Sequence, residues 1–377
     1  MMKKWKEQRV NIILGSFLGI LILLMLLATI CDHSKVSYDH LQKVEPDSVE
    51  KLADGGSVVE LTIDKSVKKC TTVAFCTPHQ YVDVYVDGRD VYSLKETAGR
   101  WGHTTGHVWN FVLLPVNTTH LTVKLSPCYP ETANALLTYY VGNGREICMG
   151  LMRQSLPTFI ISFILIVGIY MLGYWLLVCK SEDVDATLLY LGLFSVILGL
   201  WTANETDFAK LLLVNQHATT FAAYILLMAM PIPFVLFVRS FLDFDDKNIW
   251  RVFCGFSMVM CVISCVLHFT GIWELRQSLI LTHIVIVGLL IYLMRAIVFK
   301  FVKRQVGRRL RTCIAALILV ILASIADLIN YYKVGGNTGI WGRISFLIFI
   351  VILGVESASK TASMLRRDRR VKELEQF

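Results

Sequence analysis

The strongest constraint on the fold is a series of eight apolar segments, each close to the length of a membrane-spanning helix. A helix needs about 20 mostly apolar residues to cross roughly 30 Å of hydrocarbon. The segments are 10–30, 156–178, 187–201, 219–238, 252–269, 279–299, 312–329 and 341–355. Hydrophobic residues make up 55% of the chain and charged residues only 18%. The sequence therefore predicts an integral membrane protein and excludes a soluble enzyme, a disordered tail and a nucleic-acid binder.

Lysine and arginine predict the orientation of these spans. Residues 1–9, the connections after spans two, four and six, and the tail after span eight together hold 21 of them. The other three short connections hold one each, namely Lys210, Arg276 and Lys333. Positive side chains favour the cytoplasmic face. Both termini are therefore predicted to be cytoplasmic and residues 31–150 extracytoplasmic, in a bacterial plasma membrane.

The first apolar segment has an alternative interpretation as a cleaved signal peptide, because basic residues precede it. Its apolar run is longer than that of a signal peptide, and the bulky Ile30 before Cys31 does not fit a small-x-small cleavage site. The same Ile30 argues against a lipid-modified cysteine. A retained anchor helix is favoured. Cleavage would leave seven spans in the same orientation.

Segment 31–150 reads as a domain of short strands. Alternating or β-branched runs occur at 57–63, 73–75, 81–92, 109–114, 120–125 and 136–141. Within 81–92, Asp87-Gly88 separates two such runs, which is typical of a β-hairpin. Several short strands with turns between them predict a β-sandwich of the jelly-roll type. The long loop of this domain is expected at 99–106.

Two runs of this domain carry a resemblance to a known family. They are FCTPHQYVDVYVDG at 75–88, followed by VYS at 91–93, and GHVWNFVLLP at 106–115. They resemble the galactose-binding-like extracellular domain of certain Gram-positive bacterial membrane sensors. Those sensors are similar to seven-transmembrane receptors with diverse intracellular signalling modules. The resemblance implies a sensing domain, a seven-helix transmembrane bundle and an output that is commonly a diguanylate cyclase (GGDEF) domain.

The predicted organisation has five parts. They are a cytoplasmic N-terminus (1–9), an anchor (10–30), the sandwich sensor (31–150), the seven-helix domain (151–355) and a helical output segment (356–377). No GGDEF-type motif or phosphate-binding loop occurs in this sequence, so no catalytic residue is assigned and cyclic-di-GMP chemistry is expected to follow or act in trans. Apolar residues in 364–374 have nearly heptad spacing, which predicts a homodimer through this helix. A basic helix lying on anionic lipid is the alternative.

Five residues of the sandwich are candidates for binding a small-molecule ligand, with a carbohydrate among the possibilities. They are His79, Trp101, His103, His107 and Trp109. Aromatic rings stack on sugars and histidines can hold a metal. However, Gly102 and Gly106 argue against the helix on which two histidines four residues apart would bind metal well. No metal and no cofactor are predicted. The alternative is that Trp109 packs in the core and the histidines are solvated.

Ionisable and polar residues in the spans are few and lie at their predicted outer ends. The candidates are Glu205, Asp207, His283, Asp327, Asn330 and Arg343. Intramembrane charges are expensive and often functional. They are interpreted as a polar cup that accepts a ligand or receives the sandwich. The alternative is that they face water or pair with each other, as Asp327 with Arg343.

The function predicted from all this is a sensor that relays an extracytoplasmic signal to a cytoplasmic output. A transporter or channel and a membrane-embedded enzyme are the alternatives from other classes.

Pro231 and Pro233 predict a kink in span four. Five cysteines in 31–150 allow at most two bridges, and their connectivity stays open.

Overall fold

The structure is a computed structural model of the chain. It describes residues 42–63, 72–95, 102–116, 118–133, 137–179, 186–212, 216–242, 248–302, 308–334, 341–354 and 356. The predicted N-terminus and anchor, nearly all of the output segment, and the residues Cys31, Cys70 and Trp101 lie outside these ranges.

Nine β-strands in the described part of the chain form two sheets. They are β1 (Gln42–Val44), β2 (Ser48–Lys51), β3 (Ser57–Thr62), β4 (Thr72–Pro78), β5 (Gln80–Val86), β6 (Arg89–Leu94), β7 (His107–Leu113), β8 (His120–Pro127) and β9 (Tyr139–Gly142). One sheet has the order β1-β9-β4-β7 and the other β2-β3-β8-β5-β6. The predicted strands are confirmed, and the jelly-roll topology stays a prediction.

The two sheets share one apolar core, which makes this part of the chain a β-sandwich (the sandwich, below). In β5, Val82, Val84 and Val86 are buried and the residues between them are partly exposed. The other sheet contributes Phe75 and Tyr139, whose ring centroids are 5.2 Å apart. Alternation with period two places every second side chain inside. Each fully buried aliphatic or aromatic side chain stabilises the sandwich by about 1.5–3 kcal/mol.

The β5–β6 hairpin has the turn that its sequence predicts. Asp87 and Gly88 connect the strands with φ angles of 48° and 76°. Two central residues with positive φ match the twist of a two-residue hairpin, and Asp-Gly tolerates that conformation.

Three cysteines of the sandwich and its junction, Cys76, Cys128 and Cys148, are free thiols. Burial raises the pKa of Cys76 to about 11, so this thiol stays protonated near neutral pH. Cys76 and Cys128 therefore form no disulfide with each other.

Ten helices follow in the described residues. They are α1 (Gly144–Ile161), α2 (Ile164–Val178), α3 (Thr187–Asn204), α4 (Asp207–Leu212), α5 (Gln216–Ala229), α6 (Pro231–Leu242), α7 (Ile249–Phe269), α8 (Leu279–Val302), α9 (Arg308–Val334) and α10 (Trp341–Gly354). Five stretches are long and apolar enough to cross a membrane: Thr187–Asn204, His217–Leu242, Ile249–Phe269, Leu279–Val302 and Cys313–Tyr331. Ile164–Leu177 and Trp341–Gly354 are apolar but shorter. The complete seven-span bundle remains a prediction.

The second predicted span, 156–178, is not one straight helix. It is divided between α1 and α2 at Ser162 and Phe163. Here backbone hydrogen bonds join residues three apart in the sequence instead of four, as from Leu165 N to Ser162 O at 2.9 Å. Beside this break, α3 approaches so closely that a Cβ on Gly199 would lie 2.5 Å from Leu165 N. The close helix contact therefore requires glycine at this position.

The helix of span four is interrupted where Pro231 and Pro233 predict a kink. Helix α5 ends at Ala229, Met230 interrupts it, and α6 begins at Pro231. Proline has no N–H to continue the α-helical ladder, and its fixed φ suits the first turn of a new helix.

The half of the bundle away from the sandwich is densely packed with phenylalanine. Phe194, Phe234, Phe237 and Phe349 are each at most 1% exposed. The ring centroids of Phe194 and Phe234 are 4.6 Å apart, and those of Phe237 and Phe349 are 5.9 Å apart. These contacts join α3, α6 and α10.

Candidate functional site

Glu274, in the connection between α7 and α8, links the bundle to the sandwich. Its Oε1 accepts a hydrogen bond from the backbone N of His103 at 2.7 Å, and its Oε2 accepts one from the Tyr129 hydroxyl. Gly102 lies against the same loop with φ of +94°, and a Cβ there would be 3.0 Å from the His268 ring. Glycine thus permits both the backbone conformation and the close approach.

A second link joins β7 to the short helix α4. Trp109 Nε1 donates to Asp207 Oδ1 at 3.3 Å, and Lys210 Nζ lies 3.4 Å from the same oxygen. Trp109 alternates with the buried Asn110, so it lies on the outer face of its sheet. The interpretation of Trp109 as a core residue is therefore wrong, because the indole faces the helices.

His79 and His107 lie side by side where the sandwich meets the bundle. Their ring centroids are 4.9 Å apart, and His79 shares a hydrogen bond with the Thr104 hydroxyl. Burial, the neighbouring His107 and the cations Arg276 and Lys210 hold the pKa of His79 well below its usual value. Surrounding protein atoms and the same two cations lower the pKa of His107 to about 3. Both rings are neutral at physiological pH.

A cavity of about 310 Å³ begins beneath these histidines and extends into the bundle. Its polar lining brings together groups from the sandwich, α3, α4, α8, α9 and α10. The charged and imidazole side chains among them are His79, His107, Glu205, Lys210, Arg276, His283, Asp327 and Arg343. The three cations and two carboxylates leave a formal charge of +1 when the imidazoles are neutral.

Arg343, in the first turn of α10, is the most unusual of these groups. It is only 4% exposed, and its Nε has no hydrogen-bond partner. Its guanidinium lies 5.0 Å from the centroid of the Trp201 ring. Within the described residues no carboxylate lies within 4 Å of it, so the expected pairing of Arg343 with Asp327 is not formed. Asp327 instead accepts a hydrogen bond from Gly342 N at 2.6 Å.

Arg276 marks the opposite side of the cavity mouth. Its guanidinium lies 5.1 Å from the centroid of the Tyr129 ring of the sandwich. It is also hydrogen-bonded to the Tyr224 side chain of α5. The mouth is thus bordered by cations held by aromatic residues.

The deeper lining is apolar. It consists of Phe194, Leu198, Met230, Phe234, Ile286, Leu289, Leu290, Leu293, Val320 and Phe346. On α8, both His283 and Leu293 line the cavity, which at 1.5 Å per residue corresponds to about 15 Å along the helix. Phe194 and Phe234 belong both to this floor and to the packed half, and the Phe346 ring lies 5.3 Å from that of Phe194. The cavity therefore has a charged mouth and an apolar floor.

The predicted site residues are only partly brought together. Four of the six polar bundle residues line the cavity, whereas Asp207 lies beside Trp109 and Asn330 is not a lining residue. Of the sandwich candidates, His79 and His107 line it. His103 contributes its backbone to the Glu274 link, and Trp101 lies outside the described residues.

Sequence reasoning missed Lys210, Arg276 and Tyr224 as lining residues. Lys210 and Arg276 had been counted only as evidence of orientation. A signal was available, since each is the single lysine or arginine in its connection, close in sequence to a carboxylate. No group of three or more His, Cys, Asp or Glu side chains that could hold a metal occurs in the described ranges.

The fold and the cavity define a class: a multi-pass membrane protein that carries a β-sandwich above a helical domain with a shared internal cavity. Residues 153–357 match the 7TM diverse intracellular signalling family. The match covers more than half of the chain, and the chain belongs to this family. Its members' matching region is a sensory receptor domain rather than a catalytic one, so this chain is a membrane sensory module. No curated protein matches the chain.

Proposed function

We propose that the chain is a receptor whose ligand occupies the cavity and acts on α10. One observation carries this proposal: His79 and His107 of the sandwich and Arg343 and Phe346 of α10 line the same cavity. Helix α10 leads directly into segment 356–377, the predicted cytoplasmic output.

The contacts of α10 explain how occupancy is transmitted. At the cavity end of α10, Arg343 contacts the Trp201 ring and Phe346 packs on Phe194. Gly342 N, in the same turn, donates a hydrogen bond to Asp327. A ligand that reaches Arg343 and Phe346 competes with these contacts. It therefore stabilises one of two arrangements of α10 by its difference in affinity for them.

The sandwich contributes the other wall of the site. Glu274 and Asp207 hold it on the bundle through His103, Tyr129 and Trp109. A ligand that enters beneath His107 changes these links as well. We propose that residues 31–150 are the extracytoplasmic sensor and that both termini are cytoplasmic.

The output that the family resemblance supports is cyclic-di-GMP, made by a cyclase domain in the native or a partner protein. Two chains are proposed to associate through the helix of segment 356–377. The transporter and enzyme alternatives gain no specific support from the cavity, whose floor is apolar and closed by the phenylalanine cluster.

Filling the cavity tests this proposal without knowledge of the ligand. Ala223 of α5 lines the cavity, and its neighbour Ala222 is not a lining residue. Ala223→Phe should fix the signalling state, whereas Ala222→Phe is the matched control. The measurement is intracellular cyclic-di-GMP in the native host, compared with the wild type and a deletion strain across several growth media.

The account expects A223F to hold one level in every medium, while A222F follows the wild type. An A223F strain that follows the wild type would refute the cavity as the signalling site. A deletion strain that matches the wild type in every medium would remove cyclic-di-GMP as the output.

A further inference from the structure

The chemistry of the cavity wall specifies a class of ligand, an inference that rests on the proposed receptor function. We infer that the cavity binds an amphipathic anion: a carboxylate or phosphate head at the level of Arg343 and Arg276, with an apolar chain extending toward Phe194 and Val320.

The head is assigned from the unsatisfied cation. Arg343 is almost fully buried, has no carboxylate within 4 Å in the described residues, and leaves Nε without a hydrogen-bond partner. A buried guanidinium without a direct ion pair is costly, because the more distant carboxylates Glu205 and Asp327 offset its desolvation only in part. An anionic group supplies that counter-charge and accepts charge-assisted hydrogen bonds from the guanidinium.

The other charges at the mouth nearly balance. Lys210 pairs with Asp207, which lies outside the lining. Arg276 and Arg343 then stand against Glu205 and Asp327 among the lining residues, and Asp327 is additionally held by Gly342 N. The assignment of an anionic head therefore rests on Arg343 itself, which has no carboxylate within 4 Å in the described residues.

The chain of the ligand is assigned from the floor. From Asp327 to Val320 on α9 the lining descends by about 10 Å, and from Glu205 to Phe194 on α3 by about 16 Å. Over this depth the lining is mostly aliphatic and aromatic, with Ser324 and Asn204 as polar exceptions on these two helices. Burying apolar surface there contributes about 25 cal/mol per Å². A head group alone leaves that contribution unused, so the ligand needs a tail of medium length.

Two sources supply this chemistry, a free fatty acid and an anionic phospholipid of the bilayer. Binding is measured by native mass spectrometry and titration calorimetry on the full chain in nanodiscs. One arm uses phosphatidylcholine nanodiscs with decanoate added. The other uses nanodiscs that contain phosphatidylglycerol, without decanoate. The chain and charge controls in the first arm are acetate, decanol and decyltrimethylammonium.

Two charge-neutralising variants test the charge assignment in opposite directions. Arg343→Gln should weaken binding at least about 10-fold, since a charge-assisted hydrogen bond and a counter-charge are lost. Asp327→Asn should strengthen it, because a repelling carboxylate at the mouth is neutralised. Arg251→Gln, an exposed position on α7, is the matched control and should change nothing.

A third variant tests the site by a change in chain-length preference, which a folding defect would not produce. Val320→Phe shortens the floor and should shift the preference from decanoate to hexanoate without altering the charge preference. The expected result is binding of decanoate or phosphatidylglycerol that depends on Arg343 and exceeds the binding of decanol and acetate.

Three results would overturn the inference. They are no binding in either arm, equal binding of the cationic or neutral amphiphile, and equal losses in R343Q and D327N. The cyclic-di-GMP measurement on A223F involves no added ligand. Its outcome therefore judges the receptor proposal separately from the ligand class.

Discussion

The two halves of the helical domain differ in how completely they are packed. Away from the sandwich, Phe237 and Phe349 are fully buried and contact each other. Toward the sandwich, the helices enclose a cavity with the unpaired Arg343 at its mouth. A protein selected for stability alone would have filled that space, because each buried void and each unpaired charge costs free energy. We therefore propose that the incomplete half is the functional one.

The largest expected effect is a difference in the free energy of unfolding that is lost when a side chain is truncated in each half. Phe237→Ala should cost about 3–5 kcal/mol, because it opens a void in the packed half. Leu289→Ala, at the cavity wall, should cost about 2 kcal/mol, since its side chain already borders open space. Thermal unfolding of the protein in nanodiscs, followed by circular dichroism, measures both. Equal losses of thermal stability would contradict the contrast between the halves.

Much of this architecture was predictable from local sequence. Asp87-Gly88 specifies its turn without help from the rest of the chain, and Pro231 ends a helix because it lacks an N–H. The positions of five spans follow from apolar length, whereas the helices at the second and eighth predicted spans are shorter. Local chemistry decides these features, so a single sequence reveals them.

The site was predictable only in part. Glu205, His283, Asp327 and Arg343 were grouped because each is a polar residue at the same end of a span. The convergence of Lys210 and Arg276 with His79 depends on how the α7–α8 connection and α4 pack on the sandwich. Contacts between residues 171 positions apart, such as His103 with Glu274, have no local signature.

A smaller effect is expected from Glu274→Ala, which cuts the main link between the sandwich and the bundle. Hydrogen bonds to a charged acceptor contribute about 1.5–3 kcal/mol each. Hydrogen exchange in the segments 102–106 and 272–278 should become faster, with little change at β5. Glu146→Ala, an exposed carboxylate in the first turn of α1, is the control. Unchanged exchange in both segments would show that this link is not what holds the sandwich in place.

The smallest expected effect is that of pH on the region where the sandwich meets the bundle. The pKa of His107 is about 3 in the folded protein, whereas the unfolded chain takes up this proton near pH 6.5. The unfolded state therefore binds more protons between these values, so stability falls as the pH drops from 6.5 toward 3. The same direction holds for His79.

Hydrogen exchange of segment 102–106 at pH 7 and pH 5, corrected for the intrinsic rate, measures this pH effect. His107→Gln should lessen the acid-induced opening. An equal pH response in H107Q and the wild type would assign the effect to other groups.

The central claim, that the cavity controls α10, is tested most directly by a distance measurement. Spin labels carried by genetically encoded ketone side chains replace Val351 of α10 and Val252 of α7, both of which are exposed. Pulsed double electron–electron resonance then compares the wild type, A223F and A222F in nanodiscs. The account predicts a shifted and narrower distance distribution in A223F and a distribution in A222F that superimposes on the wild type. Superposition of all three would contradict the claim.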